Sequence, residues 1–190
     1  MRVLDARGDV LVQGVRIMGA RLHLHWSALA LAAALLASWI RQPVLALEAV
    51  GSYFGVLLLH EIGHAAMARR LGYAATDIRL SLLHGGCEHD APDTRRDEAL
   101  IAWGGVLAQL AIALPLIALA QVPAFAALPA AAIPIAGFGY FSVLVALFNL
   151  APVPPLDGAR AWRLLPVLLA QRRARAAAEK ATQALMRRLK

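Results

Sequence analysis

Three residues of this chain have the types and spacing to do chemistry. His60, Glu61 and His64 stand as His-Glu-x-x-His within Leu57-Leu58-Leu59-His60-Glu61-Ile62-Gly63-His64-Ala65-Ala66-Met67-Ala68-Arg69-Arg70. On a helix, His60 and His64 share one face a turn apart, with Cβ atoms about 5–6 Å from each other. Both imidazoles can then reach one zinc ion at about 2.0–2.1 Å. Glu61 projects about 100° round from His60, beside the metal, where it can hold and deprotonate a zinc-bound water. Two helix-packing histidines with an unrelated glutamate would give the same letters. The setting speaks for function, because ionisable groups in apolar helices are costly and mark functional sites.

A catalytic zinc with two histidines needs a third protein ligand and an open position. Asp157 is the best candidate. It ends the run Asn149-Leu150-Ala151-Pro152-Val153-Pro154-Pro155-Leu156-Asp157-Gly158, behind a proline break that must stop the preceding helix and fix the approach of the carboxylate. Its other reading is an N-cap for the helix that follows. His84, Cys87 and His89 could form a second metal site, although the glycines among them and the missing fourth ligand favour a surface loop. His23 and His25 read as interfacial side chains, since nothing nearby completes a site. The single cysteine rules out an intrachain disulfide framework and a Cys-rich zinc site.

The elements that must position these groups are set by composition. Of 190 residues, 60% are hydrophobic and 16% charged, with mean hydropathy +0.62. Soluble domains lie nearer about 45–50% apolar and about 25% charged, so this is a membrane protein. The fold class expected is an all-α polytopic bundle of about four transmembrane helices with short membrane-surface strands. The spans fall at about residues 24–40, 44–70, 99–120 and 135–150. Trp26 and Trp39 anchor the first at the interfaces, and that run reads as a span, not a cleavable signal. The third span carries Gly104-Gly105, which permits close helix approach, and Gln109, which needs a polar partner in the bundle. Residues 121–134, with Pro123, Pro129 and Pro134 and no charge, form a turn or a broken, partly embedded segment.

Outside the spans, residues 1–25 alternate apolar and polar around Gly14 and Gly19, a pattern of short strands or a hairpin at the membrane surface. The polar loop 71–98 holds an alternating strand, Ile78-Arg79-Leu80-Ser81-Leu82, followed by a glycine turn at Gly85-Gly86. The chain therefore divides into surface strands (1–25), an intramembrane core (26–158) and a basic amphipathic tail (159–190). The tail mixes Trp162, Leu164, Leu165, Leu168 and Leu169 with Arg160, Arg163, Arg172, Arg173, Arg175, Arg187 and Arg188, and suits an anionic membrane surface, solution or self-association. The net charge of +7 comes mostly from arginines flanking apolar runs, with no aromatic-interleaved patch, which speaks for topology and against nucleic acid. The arginine-rich segments are the N-terminus, the 71–98 loop and the tail. The positive-inside rule places both termini and that loop in the cytoplasm. Residues 60–64 and 149–158 then lie at one depth near the cytoplasmic face, as a shared metal requires.

His60-Glu61-Ile62-Gly63-His64 and Asn149-x-x-Pro152-x-Pro154-Pro155-Leu156-Asp157-Gly158 together resemble the two signatures of the site-2 protease family of intramembrane zinc metalloproteases. Gly85-Gly86 looks like the family's glycine pair, and Ala102-Trp103-Gly104-Gly105-Val106-Leu107-Ala108-Gln109 like its Ala-Gly-Pro-x-x-Asn segment, with Gly105 and Gln109 in place of the usual Pro and Asn. Leu150 also stands where the family's first proline would be. The resemblance covers about residues 10–160. It implies one zinc per chain on His60, His64 and Asp157, Glu61 as general base, and Asn149 in substrate or oxyanion positioning. It implies an integral protein of a bacterial inner membrane that cuts in or near transmembrane segments of other membrane proteins, with a homo-oligomer or regulatory membrane partner open. The likeness is to a minimal member, with no room for a PDZ domain between spans or a CBS domain after them. A catalytically silent, chaperone-like relative of the same fold is the alternative, against which the retained Glu61 argues.

Overall fold

In a computed structural model, residues 8–82, 84–128 and 131–188 are described. The expected strands at residues 1–7 and the role of Pro129 lie outside them. The remaining chain forms β1 (Asp9–Ile17), β2 (Ala20–His25), α1 (Trp26–Ser38), α2 (Pro43–Arg70), β3 (Ala75–Leu80), β4 (Gly85–His89), α3 (Arg95–Leu119), the single turn α4 (Pro123–Ala126), α5 (Ala132–Asn149), α6 (Gly158–Ala161) and α7 (Leu164–Arg188).

The N-terminal alternation does form a hairpin. Its two-residue turn holds Met18 at φ 51° and Gly19 at φ 87°, the left-handed pair that matches strand twist. The four strands make one mixed sheet in the order β1-β2-β3-β4, with β2 parallel to β3 and the outer pairings antiparallel. A parallel pair needs a long crossover, and here α1 and α2 supply it. This sheet is a larger β component than scattered surface strands. It also revises the local reading: Gly85-Gly86 are not a turn but open β4, paired with Leu80 and Arg79 of β3. Ser81 N donates to His84 O at 2.9 Å.

One sheet face is apolar and covers α2. Ile78, Leu80, Ala20 and Ala75 pack on Leu57 and Ala65, with Phe54, Leu58 and Cys87 at the margin. Burying Ile78 alone stabilises this contact by about 1.5–3 kcal/mol. The other face is charged. Asp77, buried on β3, accepts two hydrogen bonds from the Arg21 guanidinium (2.9 and 3.0 Å) and lies 2.7 Å from His23 Nε2, while Arg79 pairs with Asp9 at 2.9 Å. Burial pushes the Asp77 carboxyl up, but the bonds to Arg21 and His23 outweigh it and hold it below its usual value. His23 is therefore tied into the sheet, and His25 caps α1 by accepting from Ser27 N at 3.3 Å.

Among the described residues, three helices are long and apolar enough to cross a bilayer: α2, α3 and α5. Their length and composition suit them to an integral membrane protein. The expected first span is shorter than its apolar run. Leu24 and His25 belong to β2, leaving α1 with 13 residues, about 20 Å of helix against a hydrocarbon core of about 30 Å. α3 starts earlier than expected because Thr94 caps it, accepting from Asp97 N at 3.0 Å, and Asp97 and Glu98 suit its first turn. In α5, residues Ile135–Phe141 wind as a π-helix, a rare form often found at functional sites. This carries Phe141 onto Tyr53, ring centroids 5.7 Å apart.

Candidate active site

The site is built where α2 and α3 touch closely. A Cβ added to Gly63 would lie 2.7 Å from the Ala108 Cβ, and one on Gly104 2.8 Å from the Met67 Cβ, so only glycines allow this approach. At that depth α2 presents His60, Glu61 and His64, each less than a tenth exposed. Gly105 of α3 lies under the two rings: a Cβ there would stand 2.6 Å from both His60 Cε1 and His64 Nε2.

Asp157 arrives from the opposite end of the chain. After α5 ends at Asn149, residues 150–157 turn back, with the Pro154-Pro155 bond cis. Gly158 sits against the carbonyls of Leu150 and Ala151, leaving no room for a side chain. Trp162 Nε1 donates to Leu150 O at 2.7 Å, Trp103 Nε1 to Ala161 O at 3.0 Å, and the two indoles meet edge to face at 5.4 Å. These contacts set Asp157 Oδ2 2.8 Å from His60 Nε2 and 3.1 Å from His64 Nε2, and the two Nε2 atoms lie 3.0 Å apart. Asp157 does begin α6, but its side chain makes no cap bond there.

The remaining ring nitrogens are both engaged. His60 Nδ1 lies 2.9 Å from Gln109 Oε1, and His64 Nδ1 lies 2.8 Å from Ile101 O. A carbonyl oxygen only accepts, so each Nδ1 carries a proton, and in the neutral imidazole each Nε2 then presents a lone pair. Two such lone pairs and a carboxylate oxygen repel one another unless a cation stands among them. Tetrahedral zinc with bonds of about 2.0–2.1 Å sets ligands about 3.3 Å apart, close to the 2.8–3.1 Å found. Among the described residues, these three alone form a metal-ligating group. Donor set, tautomers and spacing fit zinc.

Glu61 stays outside this triad. It faces Gly85 of β4, where any side chain would collide with its carboxylate. Around it opens a cavity of about 1090 Å³ lined by the three ligands, Glu61, β4 and Asn149. Asn149 shares the cavity, but its Nδ2 donates to Val145 O of its own helix at 3.0 Å. His84, Cys87 and His89 line the wall without forming a second metal group among the described residues. Burial, then Glu61 and Glu88, push the Cys87 thiol up to about 12, so it offers no thiolate at neutral pH. Gln109 as the partner of His60 was legible only as a buried amide in need of one. Ile101, contributing a backbone atom, gave no sequence signal.

A membrane bundle with an inserted sheet and a His-His-Asp cluster beside a buried glutamate defines the class: the chain belongs to the site-2 protease family. Two curated relatives, from two strains of Mycobacterium tuberculosis and each described as "Putative zinc metalloprotease Rip3", are 32% identical over 164 residues, 78% of this chain. The chain spans 42% of the length of these relatives. The solved site-2 protease from Methanocaldococcus jannaschii shares the fold, with TM-score 0.65 and 22% identity over 86% of this chain and 72% of that one. No family model matches the sequence.

Proposed function

We propose that this protein is an intramembrane zinc metalloendopeptidase that hydrolyses peptide bonds in or near transmembrane segments of membrane proteins. The observation that carries the reading is the meeting of His60 and His64 with Asp157, from two elements far apart in sequence, with both Nδ1 atoms engaged and Glu61 alongside. The zinc-metalloprotease relatives support the choice of metal and reaction.

His60, His64 and Asp157 would hold one zinc per chain. Bound there, zinc supplies Lewis acidity that lowers the pKa of a coordinated water to about 7 and polarises a carbonyl. The protein's own groups do the rest. Gln109 and Ile101 lock the tautomers and orient the rings. Glu61, at the cavity wall, accepts the water's proton on a carboxylate oxygen as the scissile carbonyl is attacked, and passes it to the leaving amine. Asn149 would serve the substrate carbonyl once its amide turns from Val145 into the cavity.

A transmembrane helix hides its carbonyls in its own hydrogen bonds, so a substrate must unwind before attack. The alternating stretch at residues 78–82 would offer an edge for such a segment, but its first residues belong to β3, which lies between β2 and β4. Of the two edge strands, β1 and β4, it is β4 that lines the cavity, through Gly85, Gly86 and Cys87. We assign strand addition to β4. Four spans with α1 as the first, cytoplasmic termini, an active site near the cytoplasmic face of a bacterial inner membrane, and the division at residues 25/26 and 158/159 complete the reading. A Glu61→Gln variant in lipid discs tests it. Cleavage of a transmembrane substrate should fall by about 10²–10⁴-fold with zinc content unchanged, and undiminished cleavage would overturn the reading.

A further inference from the structure

Beyond the active site, the outer length of α7 stands clear of the rest of the described residues. Its root is fixed: Arg163 Nη1 pairs with Glu98 Oε2 at 3.4 Å, beside the Trp103–Trp162 contact. From Gln171 to Lys180 every residue is exposed. Between residues 170 and 187 stand Arg172, Arg173, Arg175, Lys180 and Arg187 against one acid, Glu179. None of the five cations is ion-paired among the described residues. By helical spacing, Ala170, Ala174, Ala177 and Ala178 take the opposite side of α7.

We propose that α7 docks along an anionic bilayer surface, its basic side chains reaching phosphate-bearing lipid headgroups. Two features select a bilayer as the occupant. First, an exposed apolar band leads to the root of α7. Leu144, Leu147 and Phe148 at the end of α5, then Val153, Trp162 and Leu165, are all exposed, and they continue the surface of a helix long enough to span. The root therefore leaves the protein at the lipid boundary. Second, the charge is complementary: an anionic leaflet attracts nearby Lys and Arg strongly enough for roughly a five-fold gain in partitioning per side chain. Nucleic acid fits less well, since past Trp162 the helix offers no aromatic side chain for base stacking. An alanine face buries little apolar surface, so the attachment is electrostatic and salt-sensitive. Screening shortens from about 10 Å at 0.1 M salt to about 3 Å at 1 M.

Hydrogen exchange of the full chain in lipid discs tests this, with zwitterionic phosphatidylcholine compared against phosphatidylcholine mixed with phosphatidylglycerol. The expected result is at least about ten-fold slower exchange of amides 170–187 on the anionic discs. That protection disappears at 1 M salt and in an Arg172→Glu, Arg173→Glu, Arg175→Glu variant, whose α2 amides exchange as in the wild type. Equal exchange on both discs overturns the proposal. So does protection on zwitterionic discs that appears only when nucleic acid is added, or protection that depends on protein density in either lipid, which marks self-association.

Discussion

At the scale of single residues, the site is an arrangement of proton positions. Gln109 accepts from His60 and Ile101 accepts from His64, and this aims both Nε2 lone pairs at the Asp157 carboxylate. Gln109→Leu removes one acceptor while filling the same space. Zinc affinity should fall by about 10–100-fold, measured by competition with a chelator, with helix content retained. Equal affinity would mean that packing alone orients His60. A Cβ at position 105 meets both imidazoles, so Gly105→Ala should weaken zinc binding further than Gly104→Ala, which disturbs backbone packing more than the rings. The same chelator titration ranks the two. The histidines and glutamate were legible because their relation is local and helical. Asp157 was legible through the proline break and its matching depth. The partners of the Nδ1 atoms were not, because they come from α3 and one is a main-chain carbonyl.

At the scale of elements, the sheet ties the chain's first strands to the wall of the catalytic cavity. Asp77 joins β2 to β3 through Arg21 and His23. Its folded pKa lies below the unfolded value near 3.8, so this contribution is complete above about pH 4 and is lost as pH falls through the lower folded value. Thermal stability of the solubilised protein should drop in that acid range, and Asp77→Asn should flatten the drop while lowering stability at neutral pH. A second expectation concerns β4. Proline placed singly at Gly86 and at Cys87 samples both amide directions of the edge strand. The variant that loses its outward amide should cut poorly while keeping zinc and folding. Full activity in both would remove strand addition from the account. Alternation in the sequence identified the strands, but which strand is the edge depends on β2, which pairs with β3 across the whole α1–α2 crossover. Such a pairing leaves no local trace. The same remoteness hid the brevity of α1, because β2 takes the start of the apolar run.

At the scale of the molecule, α2, α3 and α5, each long and apolar enough to cross a membrane, frame the meeting of His60 and His64 with Asp157, which the segment after α5 brings to them. The close α2–α3 contact through Gly63 and Gly104, and the Trp103–Trp162 latch beside Asp157, make the metal site a property of the assembled bundle. The central claim is that segments 60–64 and 157 form one zinc site in the intact protein. The most direct test is the zinc content of detergent-purified wild type beside Asp157→Ala, after metal loading and dialysis against a weak chelator. About one zinc per chain in the wild type, lost from a variant that retains its helix content, is the predicted result. Equal zinc in both proteins, or none in a folded and loaded wild type, would contradict it.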